Sequence, residues 1–373
     1  MTGAQHEPDR VVGTRADSTH RAIEISVVIA ARNAAGTLRE QLDALASQRP
    51  EFGWEVLVCD NGSTDGTADL VRAMTSELPE LRLVDASGAR GPGAVRNVGA
   101  QVARGRDLVL CDADDVVGEG WLDAMHTALA THAFVAGRFE GRRLNDATRL
   151  RSRVLPQQEG LQWFAGAPEL PHAGAGNMGI RAEVFHSVGG FPDPTICLED
   201  VDLCWRIQLS GEPLVFVPEA LLHVRLRSGL RGAARQGWEY GTGQRWIETR
   251  YRDMLVPEGA GDVAGGRVVT RRHRPRRVLG RALVVARSLA QVRSVGDLAA
   301  LTWDLGWGLG HAFGRIPATE AVSPPAVPSR VMSAQAPTAA PSRSVPGAAV
   351  ASPWVSRIAD GGLTSLGEPV EHV

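Results

Sequence analysis

The sequence holds no lysine: all 40 of its lysine-or-arginine positions are arginine. This excludes a Schiff-base lysine, a lysine nucleophile and the lysine of a phosphate-binding loop. Aromatic residues make up only 5% of the 373 positions, and four residues are cysteine. Cys59, Cys111, Cys197 and Cys204 form no Cys-x-x-Cys pair and no zinc spacing, and they sit within apolar runs. Free, buried thiols in a reducing compartment, the cytoplasm, are therefore expected. No run of about 18 uncharged apolar residues occurs, so no membrane span is expected. Residues 1–22 are polar, lack the apolar core of a secretory signal, and read as a flexible leader. The net charge of -2 gives no general attraction to nucleic acid, and no nucleic-acid partner is expected.

What is present is a 43% apolar chain, long enough for a large single core with appendages. Apolar runs at Ile25 to Ala30, Trp54 to Cys59, Leu81 to Val84 and Leu108 to Cys111 read as buried strands. Helical patterns run from Thr37 to Ser47, through about Glu77, and from Gly93 to Arg104. This alternation predicts an α/β fold: a Rossmann-like, mostly parallel sheet with helices on both faces. Further strands are expected at Val135 to Phe139, Met178 to Phe185 and Leu214 to Val217, with a helix from Glu199 to Ser210. The division expected is an α/β domain over 23–225, a basic helical extension over 226–316, and a disordered Pro/Ala/Ser-rich tail over 317–373. Ligands of such sheets bind beyond the carboxyl ends of the strands. Asn33, Asp60, Arg96 and Asp112 to Asp115 fall there.

Each polar cluster has more than one reading. Asp112-Ala113-Asp114-Asp115 places three carboxylates at the end of a buried strand; this suits a hard divalent cation shared with phosphate, or an acidic turn. Asn61, Ser63, Asp65 and Gly66 mimic part of a calcium loop, but Arg72 stands where the twelfth-position glutamate belongs, so an EF-hand is rejected. Ser63, Thr64 and Asp65 are expected instead to cap the following helix, leaving Asp60 to accept a hydrogen bond from a base or ribose. The loop Gly88 to Asn97 is not a dinucleotide fingerprint, because Arg96 occupies the third glycine position. Arg96 is either a planar cation for a ligand or a surface arginine. Glu199 and Asp200 open a helix, where the macrodipole holds a carboxylate ionised; that serves structure and also suits a general base. His223 gains meaning only from its neighbours.

In their order, Val27 to Asn33, Asp60 to Asp65, Ala94 to Gly99, Asp112 to Asp115, Gly176-Asn177-Met178 and Glu199 to Leu203 resemble the inverting family 2 glycosyltransferases of the GT-A fold, over about half the chain. One departure is visible: Ala30 stands where the family usually carries proline. The resemblance implies that Ala30, Arg32, Asn33, Asp60, Arg96 and Asp112 bind the nucleotide sugar. It further implies that Asp112 and Asp114 form the Asp-x-Asp motif holding Mg²⁺ or Mn²⁺, with His223 as an additional ligand. Asp200 matches the catalytic base and Glu199 its supporting neighbour. The implied reaction moves a sugar from a nucleoside-diphosphate donor to an acceptor hydroxyl, lipid-linked or on a glycan, in cell-envelope, polysaccharide, glycolipid or secondary-metabolite synthesis.

Two competing readings stand beside it. A catalytically silent sugar-nucleotide-binding or scaffold protein on the same fold would have no need of both Asp114 and Asp200. A nucleotidyltransferase wants a Gly-rich basic loop after its first strand, and Ala31-Arg32-Asn33-Ala34-Ala35 is not one. From Arg225 to Arg281 the chain carries 14 arginines against five carboxylates. Arg271 to Arg277 and the amphipathic stretch after it fit either peripheral contact with the inner face of the cell membrane or a helical subdomain packed on the core.

Overall fold

The computed structural model describes residues 21–78, 80–164, 170–194, 196–227, 229–254, 292–319 and 321–322. The expected leader, the Arg271 to Arg277 cluster with its amphipathic stretch, and nearly all of the expected tail lie outside the described residues.

The first half follows the sequence pattern closely. It runs β1 (Ile23–Ala31), α1 (Leu38–Ala46), β2 (Gly53–Asp60), α2 (Thr67–Met74), β3 (Leu81–Asp85), α3 (Pro92–Val102) and β4 (Asp107–Asp112). Then come β5 (Val116–Val117), α4 (Trp121–Leu129), β6 (Phe134–Glu140), α5 (Ala147–Ser152), β7 (Asn177–Arg181), α6 (Ala182–Ser187), α7 (Glu199–Leu209), β8 (Val215–His223), α8 (Leu230–Arg250) and α9 (Val295–Phe313). Eight strands form one sheet in the order β3-β2-β1-β4-β7-β6-β8-β5. Strands β3, β2, β1 and β4 run parallel, as do β6 and β8. β7 is antiparallel to both neighbours, and β5 is antiparallel to β8. This is the mostly parallel α/β arrangement anticipated, with a C-terminal helix.

Strand alternation sorts the apolar residues onto two faces. Ile25, Val27 and Ile29 pack with Leu38, Leu42 and Trp121 on one side of the sheet. Val28 faces the other way, with Leu57, Leu108, Val95 and Trp205. Each such fully buried Leu, Ile or Val contributes about 1.5–3 kcal/mol of burial.

The expected strand at Met178 to Phe185 is half strand and half helix: β7 ends at Arg181 and α6 follows at once. The last strand is longer than Leu214 to Val217 and carries His223 at its end. After it, α8 delivers Trp246 and Ile247, with Tyr251 just beyond, to the second apolar face. α9 lies against α8 at glycines. A Cβ on Gly241 would come within 2.7 Å of the His311 amide nitrogen, and one on Gly310 within 2.8 Å of the Trp238 carbonyl carbon. The two backbones approach this closely only because no side chain stands between them. Among the described residues, no helix is long and apolar enough to cross a membrane.

Candidate active site

The loops after β1 and β2 are laced together. Asn33 takes a positive φ of 50°. Its backbone N–H donates to Ser63 Oγ at 2.8 Å, and its side-chain Oδ1 accepts from Thr64 N at 2.9 Å. Asp65 accepts from Ala35 N at 3.0 Å and from Thr67 N at 3.1 Å. The capping expectation is thus corrected. Gly66, in the left-handed region, is the N-cap of α2, while Ser63 and Thr64 hold the Asn33 loop instead. Asp65 alone binds an amide of the first turn. Asp60 closes its own turn through Ser63 N, at 3.3 Å to each carboxylate oxygen. Ala30 sits in register between Cys59 and Asp112, and Arg32 is exposed on the same edge.

At the end of β4, Asp112, Asp114 and Asp115 each present an oxygen within 4.8 Å of the others. Burial raises the Asp114 carboxyl above its ordinary range, and the Asp112 charge raises it further. Asp115 is pushed up by the same two causes and stands well above the usual value. Three carboxylates this close fit a hard divalent cation, whose charge would remove their mutual repulsion. Asp115 is held in place by the Arg225 amide at 2.8 Å, and Arg225 Nε also donates to the Asp114 carbonyl at 3.0 Å. Asp115 belongs to the three-carboxylate cluster visible in the sequence, whereas its support by Arg225, 110 positions away, had no local signal.

Arg96 is a buried link within the cleft and not a surface arginine. Its side chain is 6% exposed, and its Nη2 donates to Asp112 Oδ1 at 2.5 Å. Nη1 lies 3.9 Å from Glu199 Oε1, and the guanidinium stands over the Phe191 ring. Burial opposes its charge, but Asp112 and Glu199 outweigh that cost and keep the pKa above its ordinary value. Gly93 makes room: a Cβ there would lie 2.9 Å from Phe191 Cβ and 3.1 Å from Glu199 Cγ.

Through Arg96, the acidic cluster meets the start of α7. Asp200 is bound by the backbone N–H groups of Val201, at 2.9 Å, and Ala175. The next residue, Gly176, leaves no space for a Cβ, which would fall 2.8 Å from Asp112 Oδ2. Asp112, with Asp114 near it, and the Glu199–Asp200 start of α7 are therefore neighbours joined through Arg96. The expectation that the helix start holds these carboxylates ionised is corrected by burial. Glu199 is pushed up to about 8 by burial and by Asp200, against the pull of Arg96. Asp200 is raised by burial too, although its backbone donors and Arg96 oppose the shift. Desolvation here outweighs the partial charge of a helix end.

His223 ends β8, paired in register with Val116. Its Nδ1 lies 2.7 Å from Glu140 Oε2, and it is not one of the mutually close ligand atoms formed by the three aspartates. Asn177, from the Gly176-Asn177-Met178 motif, is structural: it accepts from Trp121 Nε1 at 2.8 Å and donates to the Arg138 and Ala220 carbonyls. Tyr240 of α8 had no signal in the sequence, yet it is within electrostatic reach of both Asp200 and Glu199.

Residues 26–189 match the family described as Glycosyl transferase family 2. Those residues resemble that family, as the motifs led one to expect. It is 30% identical over 256 residues to the pre-mycofactocin glycosyltransferase of Mycobacterium tuberculosis, covering 64% of this chain and 50% of that protein. It is 28% identical over 200 residues to glycosyltransferase AglE of Haloferax volcanii, covering 53% of this chain and 65% of that one. Among solved structures it is similar to the mannosyltransferase PcManGT of Pyrobaculum calidifontis, in complex with GDP-Man and Mn²⁺. That likeness has 20% identity and a TM-score of 0.48, over 80% of this chain and 78% of that one. The chain spans about half the length of the mycobacterial relatives it matches.

Proposed function

We propose that the protein is an inverting, metal-dependent glycosyltransferase, which moves a sugar from a nucleoside-diphosphate donor to an acceptor hydroxyl on a glycan or a lipid-linked carrier. One observation carries this reading: Asp112, clustered with Asp114 and Asp115, is joined by buried Arg96 to Glu199, which neighbours Asp200.

Ala30, Arg32, Asn33 and Asp60 border the edge where the nucleoside would lie. Asp112 and Asp114 would hold Mg²⁺ or Mn²⁺, with Asp115 behind them; His223, oriented through Nδ1 by Glu140, has Nε2 left to offer. The ion would supply Lewis-acid stabilisation of the departing diphosphate. Asp200 takes the proton from the acceptor hydroxyl as its oxygen attacks the anomeric carbon from the side opposite the leaving group, so one displacement inverts the configuration. A raised pKa makes Asp200 a stronger base than an exposed carboxylate. Glu199, next to it and raised to about 8 by burial and by the Asp200 charge, supports the pair as its neighbour. Arg96 limits the upward shift of both.

The test is a thermal-shift screen against UDP-, GDP- and dTDP-sugars with and without Mn²⁺, followed by mass spectrometry of the donor. Metal-dependent stabilisation by one donor, with slow release of free sugar, is expected. A donor that binds but is never turned over, with any acceptor, would favour the silent binding protein. No donor binding at all would sink the reading.

A further inference from the structure

The turn after α6 reaches back onto α3. Gly189 and Gly190 carry it round at φ of 81° and 65°, a region that favours glycine. Asn97 of α3 then grips both backbone groups of Phe191. Its Nδ2 donates to the Phe191 carbonyl at 3.0 Å, and its Oδ1 accepts from the Phe191 amide at 2.9 Å. One side chain thus closes a two-bond clasp on a residue 94 positions away. Arg206 of α7 holds the same turn from a second element. Its Nη1 donates to the Val188 carbonyl at 2.6 Å and its Nη2 to the Gly190 carbonyl at 2.7 Å, while its Nε donates to Asp202 at 2.7 Å. Phe185 of α6 packs edge-on against Phe191, with ring centres 5.8 Å apart.

What this frame holds in place is the Phe191 ring. The residue is 2% exposed, and its ring centre lies 5.7 Å from the guanidinium carbon of Arg96. A flat ring laid over a flat cation attracts it and restricts its rotation. It also helps keep water from the guanidinium, whose Nε is buried. Where water is excluded, the attractions of Arg96 for Asp112 and Glu199 are less screened. The two ends of one guanidinium can serve both carboxylates only while its plane is fixed.

We propose that Asn97, with Arg206 behind the same turn, is a positioning residue: it clasps Phe191 so that the ring fixes the Arg96 guanidinium between Asp112 and Glu199. Its effect on turnover rests on the glycosyltransferase reading, whereas the clasp belongs to the fold alone. Two adjacent residues of α3 then share one task. Arg96 carries the charge, and Asn97 sets where that charge stands. Arg206 extends the frame to Asp202, two positions after Asp200, and so holds the turn to the helix that bears the base.

The experiment labels the full chain with ¹⁵N-arginine and follows the Arg96 guanidinium by NMR, its signals identified as those lost in Arg96→Lys. In the wild type, restrained rotation should give separate Nη1 and Nη2 signals. Asn97→Ala and the milder Phe191→Leu should merge or broaden them, while the other arginine signals stay those of a folded protein. Donor turnover is then measured for each variant, alone and combined with Arg96→Gln. Each single variant should lower kcat roughly tenfold. In the Arg96→Gln background each should lower it less than about twofold further. Unchanged Arg96 signals in both variants would overturn the proposal. So would losses that multiply in the combined variants, because a purely structural contribution adds independently of Arg96. A wild type that turns over no donor would strike the glycosyltransferase reading instead, and the arginine spectra would still decide the clasp.

Discussion

Arg96 Nη2 meets Asp112 Oδ1 at 2.5 Å, while its other terminal nitrogen lies 3.9 Å from Glu199. A residue of α3 thereby joins the end of β4 to the start of α7, two places 87 positions apart. In the proposed enzyme this buried cation would sit between the metal-binding carboxylates and the base.

Removing that cation should change the acid limb of the pH–rate profile. Arg96 favours the ionised forms of Glu199 and Asp200, so Arg96→Gln should raise their apparent pKa values. The rise of kcat/KM with pH should then move to higher pH. A limb that stays in place or moves down would show that Arg96 is electrostatically silent.

Asp200→Asn removes the proton acceptor and keeps the shape. Turnover should fall roughly 10²–10⁴-fold, while nucleoside-diphosphate affinity stays within twofold. Initial rates paired with calorimetry check this; near-normal turnover would take Asp200 out of the mechanism.

Asp114→Ala should act on the donor instead. The dependence of nucleoside-diphosphate binding on Mn²⁺ should disappear, while metal-free binding is kept. Unchanged metal dependence in this variant would count against the cation site.

The raised carboxylates make stability fall as pH rises in the metal-free protein. Asp114, Asp115 and Glu199 bind protons more tightly folded than unfolded, so protonation favours the folded state. That contribution is full below their unfolded values near 4 and is lost as pH climbs toward about 8, where Glu199 titrates. Carboxyls lowered in the fold, such as Glu55 and Glu140, act oppositely but only in the acid range. Tm should therefore drop between pH 5.5 and 8.5, by about 2–4 °C per kcal/mol lost, and Mn²⁺ should offset the drop. A Tm that climbs over this range without metal would contradict the shifts.

Asp202 is fully buried and accepts from Arg206 Nε at 2.7 Å, Arg250 Nε at 2.5 Å and Tyr251 Oη at 2.7 Å. It thus ties α7 to the end of α8. Asp202→Ala leaves two arginines without a counter-ion and should cost about 3–5 kcal/mol, read as a lower denaturation midpoint. A loss under about 1 kcal/mol would mean that water replaces the carboxylate.

The sequence by itself determined the parallel half of the sheet. Ile25 to Ala30, Trp54 to Cys59 and Leu108 to Cys111 are apolar on both faces, a pattern that only a strand covered by helices can bury. It also placed Asn33, Asp60, Asp112 and Asp114 at one edge, because parallel strands all end on the same side. What it left open depends on distance along the chain. Arg225 supports Asp115 across 110 positions, and Ser63 turned out to hold Asn33 and not its own helix. Arg96 could be a ligand's cation or a surface arginine until its packing against Phe191 and Glu199 buried it. The sign of the Glu199 shift was likewise decided only by packing, since a helix start argues for ionisation and burial argues against it. Local pattern records which groups a segment must hide or expose; the tertiary fold decides which distant groups are hidden together, and the energy of a charge depends on those neighbours.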